Sequence, residues 1–443
     1  MTVDSSDNIY VTGWTGGGLD GNTNSGSSDI FLVKYNSSGV KQWTKQWGTS
    51  SLDYGYGVTA DSSDNIYVTG FTDGALDGNT NSGGGDIFLV KYNSSGTKQW
   101  TKQLGTSSVA DYGYGVATDS SDNIYVTGYT SGGLDGNTSS GGVLDLFLVK
   151  YNSSGTKQWT KQLGTSAKDV SQGVTVDSSD NIYVTGWTKG GLDGNTNSGV
   201  YDLFVVKYDS SGTKQWTQQL GTSSDDYGWR VTVDSSNNIY VTGYTYGGLD
   251  GNTNFGGVDI FLVKYNSSGT KQWTKQLGTS SWDSGYEVTV DSSNNIYVTG
   301  CTSGGLDGNT NSGDCDIFLV KYNSSGTKQW TQQLGTSSSD IANGVTVDSS
   351  NNIYVTGQTR GGLDGNTHSG NYDIFLVKYN SSGTKQWTKQ LGTSWHDYGY
   401  GVVVDSSNNI FVTGGTRGGL DGNNDSESND IFLVKYNSDG VLQ

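Results

Sequence analysis

The sequence predicts an all-β protein made of eight copies of one small sheet, and three observations carry that prediction. NIYVTG, or NIFVTG in the last copy, recurs with its aromatic residue at Tyr10, Tyr67, Tyr125, Tyr183, Tyr240, Tyr297, Tyr354 and Phe411, a period of 57 or 58 residues that fills the 443-residue chain. Each copy holds four short apolar runs of the forms GVTVD, NIYVTG, DIFLVKYN and KQWTKQLG. Proline is absent, Gly, Ser and Asn punctuate every run, and no stretch has a helical period.

The runs read as strands in turn. The first two are short and rich in β-branched and aromatic residues. The third is apolar on both alternating faces through IFLV, which requires cover from a neighbouring sheet on each side. The fourth alternates, with Lys41, Trp43, Lys45 and Trp47 on one face and Gln42, Thr44 and Gln46 on the other, as suits an outer edge strand guarded by charge. DSSD or DSSN joins the first strand to the second, a Gly-rich segment the second to the third, and SSGT the third to the fourth.

Four antiparallel strands repeated at this period predict an eight-bladed β-propeller, in which stacking buries both faces of each unit. One domain over 1–443 is expected, a monomeric ring with approximate blades 1–49, 50–107, 108–165, 166–222, 223–279, 280–336, 337–393 and 394–443. The fourth-strand tryptophan occurs seven times, at Trp43, Trp100, Trp159, Trp216, Trp273, Trp330 and Trp387, so the last blade is expected to lack its outer strand. Both ends fall inside a repeat, which suggests a piece of a longer protein.

The run V-D-S-S-D-N-I-Y-V-T-G-W-T, a Gly-rich loop and D-I-F-L-V-K-Y-N resemble the bacterial SBBP repeat, named for the seven-bladed beta propeller. The resemblance covers all eight copies and implies a propeller, commonly from secreted or surface-associated proteins with binding roles. An extracellular or cell-surface location is the corresponding expectation. It implies no catalytic residues to carry over, and eight copies depart from the family's name.

Composition excludes other classes. With 25 Lys plus Arg against 43 Asp plus Glu, a net charge of −18 and a pI near 4.3, the chain offers no basic face for nucleic acid. No apolar run is long enough for membrane insertion as a helix. The 13 Trp, 28 Tyr and 11 Phe argue against a disordered chain.

Differences among the copies are concentrated at a few positions. After VTG come Trp14, Phe71, Tyr129, Trp187, Tyr244, Cys301, Gln358 and Gly415, and two residues later Gly16, Asp73, Ser131, Lys189, Tyr246, Ser303, Arg360 and Arg417. Before the third strand sit Ser28, Gly85, Leu144, Tyr201, Val258, Cys315, Tyr372 and Asn429. The segment before the first strand also varies and carries Tyr54, Tyr112, Tyr227, Trp282 and Trp395. In antiparallel blades all these sites fall at one face and the two uniform hairpins at the other. Rigid aromatics among small polar residues are the makings of a recognition surface for a protein or glycan. The competing readings are drift at exposed loops and a structural or adhesive surface repeat without a specific ligand.

The loop LDGNTNSGxxD places Asp20, Asn22, Asn24 and Asp29, and again Asp77, Asn79, Asn81 and Asp86, at spacings that suit calcium, although the same side chains also suit ties to their own backbone. Cys301 and Cys315, in one copy, are read either as a disulfide or as two free thiols. His368 and His396 occupy non-equivalent places, so no Ser-His-Asp constellation is suggested and no enzyme activity is expected.

Overall fold

The computed structural model describes residues 1–108, 110–420 and 430–443. The chain is an eight-bladed β-propeller: its described residues form seven four-stranded antiparallel sheets and a last sheet of three strands, with almost no helix. It forms two compact units, 1–231 and 232–443. The second blade is representative, with strands Asp53–Ala60, Ile66–Thr72, Asp86–Tyr92 and Lys98–Leu104 paired in chain order. The first blade opens on the short strand Thr2–Val3, and the last comprises Asp397–Val404, Ile410–Thr416 and Asp430–Tyr436.

Two local readings of the sequence need correction. The stretch expected to precede the first strand belongs to it: Asp53 pairs with Thr72 and Tyr54 with Phe71 before a β-bulge. The register shifts between Gly55 and Gly57, leaving Tyr56 as the extra residue, so pairing continues through a point where the apolar alternation breaks. The fourth strand also departs from simple alternation. A bulge at Gln42 lets Lys41 and Thr44 reach the same Asp20 carboxylate, although alternation had placed them on opposite faces.

The cores lie between successive blades. In the first unit, Tyr10, Ile30, Leu32 and Trp47 of one blade pack against Ile66, Val68, Phe88, Val90 and Tyr92 of the next. In the second unit, Tyr297, Ile317 and Leu319 pack likewise against Ile353, Val355, Phe375 and Val377. This explains the third strand: Asp86–Tyr92 is buried along its whole length because neighbours cover both its faces.

The end of each blade bearing the uniform hairpins is held by a polar network. Asp61 accepts hydrogen bonds from the Ser63 and Asn65 amides, the Asn65 side chain and the buried Tyr67 hydroxyl, the last at 2.8 Å. Lys91 lies over the Tyr67 ring and donates to the Ser153 carbonyl of the next blade at 2.9 Å. Burial pulls its ammonium below the usual lysine range, against the attraction of Asp61. The turn residue Asp64 adopts φ 59° and its carboxylate receives hydrogen bonds from Ser5 and Ser6 of the preceding blade. Gly96, at φ 80°, rests on Trp43 so closely that a Cβ would come within 2.8 Å of the indole.

Candidate binding surface

The opposite end of each blade carries the variable positions, and main-chain hydrogen bonds stitch them together. Asp53 N donates to Ser28 O at 3.0 Å and Asp73 N to Leu52 O at 2.9 Å, while Ser28 and Leu52 form a parallel bridge. Residues scattered through the sequence thus become one row where successive blades meet. The pattern repeats at Leu144, Lys168 and Lys189 in the first unit and at Tyr372, His396 and Arg417 in the second. The post-VTG residues are strand residues rather than loop residues, since Tyr129 pairs with Tyr112 and Trp187 with Val170.

Within the first unit the rings form a continuous run. Trp14 meets Tyr54 at 4.8 Å between centroids, Tyr54 meets Phe71 at 5.0 Å, Phe71 stacks on Tyr112 at 4.1 Å, and Tyr112 meets Tyr129 at 5.2 Å. Phe71 is buried in this run, while Trp14 is exposed. A second group joins Trp187, Tyr201 and Tyr227. In the second unit Tyr244, Tyr246 and Trp282 meet at about 6 Å, and Tyr372 packs beneath Arg360. Trp395 is exposed beside them, and its amide is held by the Thr393 hydroxyl. Variable position Asn429 and the end of the eighth Gly-rich loop lie outside the described residues.

The bulge residues lie in the variable segments 52–56, 110–114, 282–286 and 396–400, but the sequence reading did not single them out as candidates. Tyr56, Tyr114, Tyr286 and Tyr400 each stand as the extra residue of a first strand. Their signal was the motif G-Y-G or S-G-Y, in which an aromatic residue interrupts a strand beside glycine. Tyr56 and Tyr114 meet at 5.3 Å. Burial pushes the Tyr56 and Tyr129 phenols well above the usual range and neighbouring phenols add to the effect, so both are neutral hydrogen-bond donors at working pH.

The acidic loops use their side chains locally. Asp20 is paired with Lys41 and Thr44; burial raises its carboxyl, but those two hydrogen bonds prevail and hold it below the ordinary value. Asn22 donates to the Leu19 carbonyl and Asn24 to Gly16 and Gly26, while Asp29 accepts from Ser25 N and Gln46. Asp77, Asn79, Asn81 and Asp86 repeat these contacts. Among the described residues, no group of three His, Cys, Asp or Glu side chains is arranged to hold a metal ion. Cys301 and Cys315 are joined in a disulfide with a Cα–Cα separation of 5.8 Å. His396 Nδ1 lies 3.2 Å from the Tyr398 hydroxyl, and His368 Nδ1 lies 3.4 Å from Asp373.

The beta-propeller repeat family SBBP matches residues 42–76, 99–135, 158–193, 215–250, 272–307, 329–364 and 386–421. The chain belongs to this family. Each match runs from the fourth strand of one blade to the Gly-rich loop of the next, so the SBBP unit spans the junction where the variable row forms. An uncharacterized WD repeat-containing protein, L264, of Acanthamoeba polyphaga mimivirus is 26% identical over 84% of this chain and 36% of its own length. Regulatory protein FlaEY of Caulobacter vibrioides is 26% identical over 59% of this chain and 30% of its own length. The chain therefore spans about a third of the length of these curated relatives. Among solved structures, a polysaccharide lyase of the PL25 ulvan lyase family is 12% identical, with a TM-score of 0.46 over 85% of this chain and 90% of that one. Identity this low transfers no chemistry. The SBBP propeller fold is consistent with a binding or a structural module.

Proposed function

We propose that this SBBP chain is a non-enzymatic recognition module, a single monomeric propeller domain that presents its variable, aromatic-rich blade ends to a protein or glycan ligand outside the cell or on its surface. One observation supports the reading above others. Every exposed aromatic ring among the described residues, namely Trp14, Tyr56, Phe255, Trp282, Trp395 and Tyr400, belongs to the variable end of its blade. Exposed Trp and Tyr supply contact area at low conformational cost, which is why such rings anchor interfaces.

The test is a binding screen against glycan arrays and surface proteins, comparing the chain with a variant carrying serine at Trp14, Tyr56, Trp282, Trp395 and Tyr400. The buried Phe71 and the disulfide-bonded Cys301 are left intact so that the fold survives. Loss of a partner in the variant is the expected result. Equal binding by both proteins, or no partner for either, would favour a structural or adhesive repeat.

A further inference from the structure

Positive charge is scarce at the variable ends, and where it occurs it has a repeated geometry. Most scaffold lysines are engaged in the repeat's own framework: Lys41 and Lys98 with Asp20 and Asp77, Lys34 and Lys91 with carbonyls of the next blade, Lys45 and Lys102 over tryptophan rings. The chain has three arginines, and two of them, Arg360 and Arg417, occupy equivalent variable positions in successive copies.

Both are exposed, and Arg360 caps a set of stacked rings. The Arg360 guanidinium lies 5.1 Å over Tyr372, and Tyr372 meets His396 at 5.7 Å and Tyr398 at 5.4 Å. His396 stacks on Tyr398 with 13° between planes, and Tyr398 stacks on the exposed Tyr400 with 17°. The backbone fixes the order, because Arg417 N donates to His396 O at 3.0 Å and Asp397 N to Tyr372 O at 2.8 Å. Among the described residues no carboxylate lies within ion-pairing distance of the Arg360 guanidinium. The neighbouring Asp373 and Asp397 are fully buried and accept from Ser369 and Gln390, and from Thr393 and Thr416, respectively. The first unit holds a counterpart three copies earlier, where Lys189 lies 5.7 Å over Tyr201 and its amide is bonded to Lys168 O.

We infer that the Arg360–Tyr372–His396–Tyr398 patch is a subsite for an acidic saccharide, with Arg360 gripping a carboxylate or sulfate and the exposed rings of Tyr400 and Trp395 taking the C–H face of a pyranose. A guanidinium matches a planar oxyanion with two parallel hydrogen bonds and keeps its charge while stacked on a ring. A chain of net charge −18 repels a dense polyanion, so a ligand with isolated charges separated by flat, neutral ring surface fits better than an acidic peptide or nucleic acid. The inference rests on the recognition role proposed above and names its ligand class.

The experiment is calorimetric titration of the whole chain with a hexasaccharide of alternating glucuronate and neutral sugar, a galactan oligosaccharide sulfated on alternate rings, a neutral galactan hexasaccharide and polyglutamate. The proteins are the parent chain, Arg360→Gln, the pair Trp395→Ser with Tyr400→Ser, and Arg230→Gln, which removes the same charge elsewhere. Acidic saccharides are expected to bind in preference to the other two probes. Arg360→Gln should weaken them about tenfold or more, Arg230→Gln should leave them unchanged, and the ring variant should weaken them too. The preferred acidic probe tells whether uronate or sulfate carries the anion. Equal binding of the neutral probe, equal binding of polyglutamate, or equal loss in the two arginine variants would overturn the inference. If no acidic saccharide binds while the five-serine variant still loses some other partner, this subsite falls and the recognition role stands; if that variant loses nothing, both fall.

Discussion

The two ends of each blade differ in what fixes their residues. At the uniform end almost every side chain is committed: Asp61 to four donors, Asp64 to the preceding blade, Lys91 to the following one and Gly96 to a tryptophan face. The turn position alternates only between Asp, as at Asp64, and Asn, as at Asn237, because both tolerate a positive φ and both can accept from a neighbouring serine. At the variable end main-chain groups stitch the varying positions together, while recurring side chains such as Thr49, Asp53, Thr72 and Gln103 carry the structural bonds around them, so that stitching does not itself fix which residue stands at a varying position. The sameness of one end therefore has a mechanical cause. It follows that the composition and exposure of the variable row, rather than its contrast with the hairpins, support the recognition reading.

The largest expected effect is alkaline unfolding. In the buried pairs Tyr67–Asp61, Tyr125–Asp119 and Tyr297–Asp291, desolvation and the adjacent carboxylate raise the phenol far above its unfolded value of about 10. Their stabilisation is fully present below that pH and is lost as pH rises beyond it, because the unfolded chain releases protons that the folded one retains. Melting curves from pH 8 upward should fall steeply past about pH 10; phenolate absorbance accounting for all 28 tyrosines near pH 10 with the fold intact would contradict this.

Next comes Gly70, at the variable end yet identical in every copy. A Cβ there would lie 1.8 Å from the Tyr54 carbonyl, so Gly70→Ala should cost about 3 kcal/mol. Gly17→Ala, where nothing lies within 4 Å, should change stability by less than about 0.5 kcal/mol. Chemical denaturation of the two variants makes the comparison. Tyr297→Phe, which removes one donor from buried Asp291, should cost about 1–2 kcal/mol by the same assay. The eighth copy carries Phe411 at that position, and among the described residues its Asp405 side chain accepts from Ser407 and Asn409 without a tyrosine hydroxyl, which bounds the penalty. Trp395→Ser, on the exposed side of the comparison, should alter stability by less than about 0.5 kcal/mol. The smallest effect is expected from calcium: with Asp20 and its equivalents paired to lysine, melting temperatures in EDTA and in millimolar calcium should agree, and a calcium-dependent rise would reveal a bound ion.

The period, the four strands per copy and the short last blade were legible in the sequence because they are written in local runs such as DIFLVKYN. The bulges were not, since Tyr56 looks like any residue of a Gly-rich approach until its register against Thr69 and Gly70 is known. Nor was the meeting of Arg360 with Tyr372, or of Tyr372 with His396, which depends on pairings between separate runs that no local pattern encodes. Lys41 was placed with Trp43 by alternation, and one extra residue in the strand turned it to Asp20 instead. The candidate surface was legible as a set of positions but not as a row.

The contacts from Ser5 to Asp64 and from Lys34 to Ser94 have a further consequence for how such a chain can change. Each copy carries the acceptor its predecessor needs and the donor its successor needs, so the parts of the junction travel together in one stretch of sequence. A whole copy duplicated within a unit arrives with both of its junctions already specified. Novelty can then accumulate along the variable row while the junction between copies stays the same.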